Sequence, residues 1–206
     1  MMASTLQQHD LFDAAPGPPE GFLYRADFLT HDEEASLLGR IRELPLTEAK
    51  YREFTARRRT VSYGGKYDFS RQRLDEAPDL PPFLFPLRDK VARWVGIESG
   101  KFVHGLVTEY QPGTPLGWHR DVPNFEIIVG VSLAGGARMR LRPYRPGEKQ
   151  RREDTIALEL EPRSAYILRD EARWGWQHSI PPTKELRYSV TFRTARQAGT
   201  TRHGAR

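Results

Sequence analysis

The 206-residue sequence contains no cysteine, which excludes disulfides, thiolate-bound zinc and a cysteine nucleophile. Any metal must then be held by histidine and carboxylate, a donor set that suits a hard or borderline ion. No apolar run approaches the roughly 20 residues that a membrane-crossing helix needs. The first twenty residues carry Asp10, Asp13 and Glu20 in place of the basic start and apolar block of an export signal. These absences predict a soluble, cytoplasmic protein. Core material is not lacking: 38% of the residues are hydrophobic and 11% aromatic, which at this length suits one globular domain, expected as a monomer. The formal charge of +5 fits a polyanionic partner without identifying one.

Residues 1–20 include Ala14-Ala15-Pro16-Gly17-Pro18-Pro19 and little patterned hydrophobicity, and read as a flexible arm. The domain is expected over 21–194, followed by a basic tail over 195–206. Thr30 and Glu33 form a capping box ahead of Leu37, Leu38, Ile41 and Leu44 at helical spacing, with Pro45 ending the pattern. A second helix is expected near 83–95, with Pro86 in its first turn. Between them, 51–70 is rich in Arg, Tyr and Gly and reads as loop and hairpin. From 101 onward the texture becomes short β-rich segments, at about 102–110, 126–133, 137–142, 155–160, 165–169 and 186–194. Such a series without intervening helices predicts a mainly β jelly roll or barrel with flanking helices outside it.

Gly117-Trp118-His119-Arg120-Asp121 places a histidine and an aspartate two apart. In extended chain, residues i and i+2 project to one face, so both side chains can grip one ion while Arg120 points away. His178 is the best third ligand in the β-rich half. Two histidines and one carboxylate on one face of an octahedron leave open the positions that non-haem Fe(II) oxygenases use. Spacing alone leaves open a surface His-x-Asp pair beside an unrelated histidine. The last strand adds weight: Leu186, Tyr188, Val190 and Phe192 alternate with Arg187, Ser189, Thr191 and Arg193. Two guanidiniums on an inner barrel face need anions, and a dicarboxylate matches their fork geometry; on an exposed edge strand they would simply be solvated. Thr108 and Tyr110 share a face of the strand leading to the metal motif and could add hydrogen bonds.

Three blocks in order resemble the AlkB family of Fe(II)/2-oxoglutarate-dependent dioxygenases: Tyr110-Gln111-Pro112-Gly113 with Trp118-His119-Arg120-Asp121, then Trp176-Gln177-His178-Ser179, then Arg187 through Arg193. The resemblance extends from about Gly21 to Thr194. It implies a double-stranded β-helix with an N-terminal α/β lid, iron on His119, Asp121 and His178, and 2-oxoglutarate and O2 as cosubstrates. Arg187 would take the distal carboxylate of 2-oxoglutarate, Arg193 would lie near its metal-bound end and Asp121, and Tyr110 would bond the cosubstrate. Thr108 and Ser189 stand where the family often has Asn, with shorter reach. The implied reaction is oxidative dealkylation of N-alkylated bases in DNA or RNA, with the same oxygenase chemistry on a protein side chain or small molecule as the alternative.

Arg57, Arg58 and Arg59 followed by Tyr63 and Tyr67 have the ingredients of a nucleotide-handling lid: cations for phosphates and rings for stacking. Solvated arginines and packed tyrosines would read the same way. A second basic stretch, from Arg138 to Arg152, spans an expected hairpin that could flank the cleft or equally serve as a solubilising edge. The acidic residues that help define base recognition in the repair enzyme naming the family are missing after Asp121, where Val122-Pro123-Asn124 follows. Gln8-His9-Asp10-Leu11-Phe12 resembles the peptides that dock bacterial repair proteins onto the sliding clamp.

Overall fold

The computed structural model describes residues 17–51, 54–68, 73–148 and 154–196, with the backbone alone for 49–51, 54–56, 65–68 and 73–76. In chain order the elements are β1 (Phe22–Arg25), α1 (His31–Ile41), β2 (Thr47–Tyr51), β3 (Phe54–Tyr63), β4 (Gly65–Asp68), β5 (Arg73–Glu76), α2 (Phe85–Val95), β6 (Phe102–Tyr110), β7 (Leu116–His119), β8 (Phe125–Ala134), β9 (Ala137–Pro143), β10 (Ile156–Leu160), β11 (Ala165–Leu168), α3 (Asp170–Trp174), β12 (Trp176–Ile180) and β13 (Arg187–Ala195). A large sheet runs β1-β11-β8-β13-β6-β3-β2, a small one runs β10-β9-β12-β7, and β4 pairs with β5 alone. All the strand pairs are antiparallel. This is the expected jelly roll.

β13 organises the large sheet because both its edges are taken, by β6 and β8. Its alternation divides the molecule. Tyr188, Val190 and Phe192 join Ile41 of α1, Leu87 and Val91 of α2 and the outer residues of β6, β8 and β11 in one buried cluster. A second cluster, with Ile128, Leu168, Met139, Leu141 and Leu160, fills the space between the two sheets. Arg187, Ser189, Thr191 and Arg193 face this interior beside it, and Arg187 is only 1% exposed.

The helices stop and start where their sequences say. The Thr30 hydroxyl accepts the Glu33 amide at 3.2 Å while the Glu33 carboxylate accepts the Thr30 amide at 2.8 Å, satisfying two otherwise orphaned donors. α2 ends at Gly96, whose φ of 81° is the left-handed conformation a helix end favours in glycine. Lys90 of α2 reaches Glu33 of α1 at 2.6 Å and ties the two helices together over the sheet.

Of the reading of 51–70 as loop and hairpin, the hairpin holds, because β2 and β3 pair antiparallel with Tyr51 opposite Phe54; the loop is corrected by β3, a ten-residue strand that also pairs with β6 in the large sheet. Val61 and Tyr63 pack against the helix-covered core while Thr60 and Ser62 take the other face. That period-two pattern was obscured by the arginines at its start. β7 and β12 are only four and five residues long, too short for a hydrophobic alternation to announce them.

If packing rather than capping holds α1 in place, Ile41→Ala should cost about 2–5 kcal/mol and Thr30→Ala about 1 kcal/mol. Urea unfolding of both variants tests the order; a larger loss at Thr30 would contradict it.

Candidate active site

The antiparallel pairing of β7 with β12 sets His119 directly opposite His178, and their ring centres are 4.2 Å apart. Asp121 follows just beyond β7. Donor atoms of His119, Asp121 and His178 all lie within 4.8 Å of one another, a spacing one ion can bridge. The Nδ1–H of His119 donates to the Gly117 carbonyl at 2.9 Å in the tautomer that leaves Nε2 free as a ligand. The Asp121 Oδ2 lies 3.7 Å from His178 Nε2.

Protonation favours metal binding. Burial pushes both imidazoles below their ordinary value, and His178, with His119 as its next largest influence, is driven down to about 3. Both rings are therefore neutral ligands near pH 7. Burial opposes ionisation of Asp121, but Arg193, the two histidines and Arg173 outweigh it and hold the carboxyl well below the usual range. The donor set is thus in the state that a divalent ion requires.

The residues expected to hold the cosubstrate lie on β13 and its neighbours. Arg187 donates from Nε to Ser132 Oγ at 3.0 Å and lies 5.0 Å from the centre of the Tyr110 ring. Its Nη1 is buried without a hydrogen-bond partner. A guanidinium left in this state costs several kcal/mol unless an anion joins it, and a carboxylate is one anion that could do so. Thr108 and Ser189 pair across β6 and β13, buried on the same inner face. Arg193 is differently engaged. Its Nε and Nη2 lie 2.8 and 2.7 Å from Asp121 Oδ1, and Nη1 lies 3.2 Å from His104 Nδ1. It therefore anchors the candidate carboxylate ligand and offers no free fork.

A family model for the 2OG-Fe(II) oxygenase superfamily matches residues 22–202. The chain belongs to that superfamily. It is 30% identical over 203 residues to the Alkylated DNA repair protein ALKBH8 homolog of Arabidopsis thaliana, covering 88% of this chain and 57% of that one. It is 29% identical over 150 residues to the DNA oxidative demethylase ALKBH2 of Bos taurus, covering 66% of this chain and 52% of that one. The chain thus spans about half the length of these relatives. The solved structure of OsALKBH1 superimposes with a TM-score of 0.69 at 16% identity, over 84% of this chain and 96% of that one. The protein is an AlkB-type 2OG-Fe(II) dioxygenase, whose cofactors are Fe(II), 2-oxoglutarate and O2.

Several residues of this dioxygenase site escaped sequence reasoning. Arg173, 3% exposed, donates from Nη2 to the carbonyls of Asp121, Val122 and Phe125 at 3.2, 2.8 and 2.9 Å, and so clamps the loop that carries the carboxylate ligand. Tyr166 faces the interior opposite Gly130, where any β-carbon would run into its ring. Burial raises its phenol, with Asp121 adding to the effect, so the hydroxyl stays protonated. Ser132 sits in a run otherwise apolar, which was its one visible signal.

The lid residues are corrected in part. Tyr63 is 6% exposed and packs in the helix-covered cluster, because it falls on the outer face of β3. Arg59 shares that face and closes on Glu109 with two bonds of 2.7 Å; Arg57, two residues earlier, is exposed. Arg58 alternates to the inner face and lowers the affinity of His119 for a proton. Tyr67 lies on β4 with its side chain outside the described residues, as do Gln8–Phe12 and residues 197–206.

His104, buried against Phe125 and Arg193, gives a testable pH dependence. Burial, with Arg193 next, pushes its pKa from 6.5 to about 3. As pH falls the unfolded chain takes up this proton first, so stability is lost from about pH 6.5 down toward 3, by roughly 1 kcal/mol per pH unit. His178 adds to the same window in the metal-free protein. Urea midpoints of His104→Gln should decline less between pH 7 and 5 than those of wild type; parallel declines would refute the assignment.

Proposed function

We propose that this dioxygenase removes alkyl groups from the nitrogens of bases in DNA or RNA. The observation that carries the site assignment is the buried Arg187 guanidinium, whose Nη1 has no hydrogen-bond partner, on the same interior face as Arg193, which holds the metal-ligand candidate Asp121. Support for a base as substrate comes from two relatives, one named an alkylated DNA repair protein homolog and one a DNA oxidative demethylase. Arg58 adds a cation on the metal side of β3.

When bound, Fe(II) with 2-oxoglutarate and O2 supplies the two-electron oxidation that hydroxylates an alkyl carbon beside nitrogen, yielding succinate, CO2 and a hemiaminal that sheds an aldehyde. The chain's residues prepare that chemistry. Arg187, steadied by Ser132 and the Tyr110 ring, binds the far carboxylate of the cosubstrate. His119 and His178 present unprotonated nitrogens, and Arg193 keeps Asp121 ionised and aimed. Arg173 prevents the loop behind Asp121 from swinging away. Neutral Tyr166 offers a hydroxyl at the interior wall without adding charge.

The absence of acidic residues at Val122-Pro123-Asn124 favours a second reading, the same chemistry on a protein side chain or small molecule. Succinate release with a methylated oligonucleotide against a methylated peptide separates the two. Dealkylation of the peptide alone would overturn the proposal. His119→Ala should abolish turnover, and Arg187→Ala should raise the apparent 2-oxoglutarate KM by on the order of 100-fold, from the roughly 2–5 kcal/mol of losing one member of a buried charged contact. Unchanged KM would remove Arg187 from the pocket.

A further inference from the structure

The inner face of the small sheet carries the two histidines; its outer face is a different surface. By alternation Trp118 projects outward from β7, and the register sets Arg140 beside Ser179 and Arg142 beside Gln177. α1 and α2 lie on the large sheet, and on this outer face Trp118, Arg140 and Arg142 are partly exposed while Arg120 and Tyr144 are exposed. Arg120 stands between His119 and Asp121 in the chain. The basic row therefore begins at the rim of the metal site.

The charges in this row are unneutralised. Arg140 donates from Nε to Ser179 Oγ at 3.0 Å, Arg142 to Gln177 Oε1 at 3.1 Å, and Arg120 from Nη1 to the Trp174 carbonyl at 3.1 Å. Every one of these acceptors is neutral. Among the described residues no carboxylate is within ion-pair distance of the three, whereas the neighbouring Arg138 has Glu159 at 3.7 Å. Aromatic rings hold the guanidiniums in place: Arg140 and Arg142 lie 5.0 and 4.1 Å from the centre of the Trp118 ring, and Arg120 lies 3.6 Å from that of Tyr144. Burial, with a smaller contribution from the nearby Arg140, makes Arg142 a poorer base than usual.

Crowded, oriented guanidiniums without carboxylates are pre-organised for an external polyanion. Each retains donors for phosphate oxygens, and flat guanidiniums can also stack on bases. Residues i and i+2 of a strand are about 7 Å apart, a spacing of the same order as successive phosphates on an extended strand. An acidic protein surface would meet the charge but would leave the capacity of the guanidiniums to stack on bases unused.

We propose that the outer face of the small sheet, from Arg120 through Arg142 and Arg140, binds the phosphodiester backbone of the nucleic-acid strand flanking the base offered to the metal site. This rests on the nucleic-acid reading of the substrate. It makes the footprint longer than one nucleotide and places part of it behind the metal-binding strands.

The test compares wild type with Arg140→Gln/Arg142→Gln and Arg140→Lys/Arg142→Lys. Fluorescence anisotropy follows binding of methylated single-stranded oligonucleotides of about three and about twelve nucleotides, a range bracketing common single-strand site sizes. Wild type should bind the longer one more tightly, and the glutamine pair should lose that gain. The slope of log affinity against log salt should become shallower by about 1.4 with glutamine, at roughly 0.7 per phosphate contact on single strands, and be restored by lysine. If the glutamine pair does not fold, the exposed Arg120→Gln serves, with a change of about 0.7. Unaltered slope and affinity on an oligonucleotide that is still dealkylated would overturn the surface and spare the substrate reading. Wild type that neither binds nor dealkylates oligonucleotide, yet turns over methylated peptide, would overturn both. Equal competition by polyglutamate would also overturn it, in favour of an acidic protein partner.

Discussion

The carboxylate of Asp121 is an ionised group enclosed by protein, and the arrangement of the site follows from neutralising it. Desolvating such a group costs several kcal/mol unless charge and hydrogen bonds compensate. Arg193 supplies both, from a strand 72 residues later in the chain. That contact requires β13 to turn its polar face inward, which sends Tyr188, Val190 and Phe192 outward to be covered by α1 and α2. A one-residue slip of β13 would put the arginines beneath the helices and the apolar side chains against His119, Asp121 and His178. The electrostatic demand of the site and the hydrophobic demand of the helices therefore select the same register.

Two arginines six residues apart on one strand end up with opposite roles because of what faces them. Arg193 meets Asp121 and His104, so its charge is balanced within the protein. Arg187 meets a serine hydroxyl and an aromatic ring, neither of which balances it. The neutrality of His104 matters here. A protonated imidazole at 3.2 Å from a guanidinium would repel it, and burial keeps the ring unprotonated. An internally balanced cation fixes geometry, while an unbalanced one in a dry pocket favours an incoming anion.

The sequence made the chemistry legible before the architecture. His119, Asp121 and the alternating last strand are local patterns, readable because period two is dictated by backbone geometry alone. The segments of β6, β8, β9, β10 and β11 were readable for the same reason. What stayed hidden depends on pairing across long separations. Whether Arg58 or Arg59 faces the metal is decided by the register of β3 against β6, and three consecutive arginines give no hint of it. Arg173 looked like one charge among many because its three partners are backbone carbonyls of a distant loop. Tyr166 became meaningful only once Gly130 was found opposite it.

The same registers explain why Tyr63 and Arg59 of the expected lid behave as part of the scaffold. Tyr63 has the ring that base stacking needs, yet it packs on the helix side of the large sheet. Arg59 is held by Glu109, which also accepts from Gln111 and Tyr188. Releasing Arg59 toward a phosphate would leave a buried carboxylate with only neutral donors, so this cation is poorly placed to change partners. Arg120, Arg140 and Arg142 bear the opposite balance: their present acceptors are neutral, and moving to a phosphate strands no charge. Availability, more than the density of arginines in the sequence, separates cations that hold the fold together from cations that can hold a substrate.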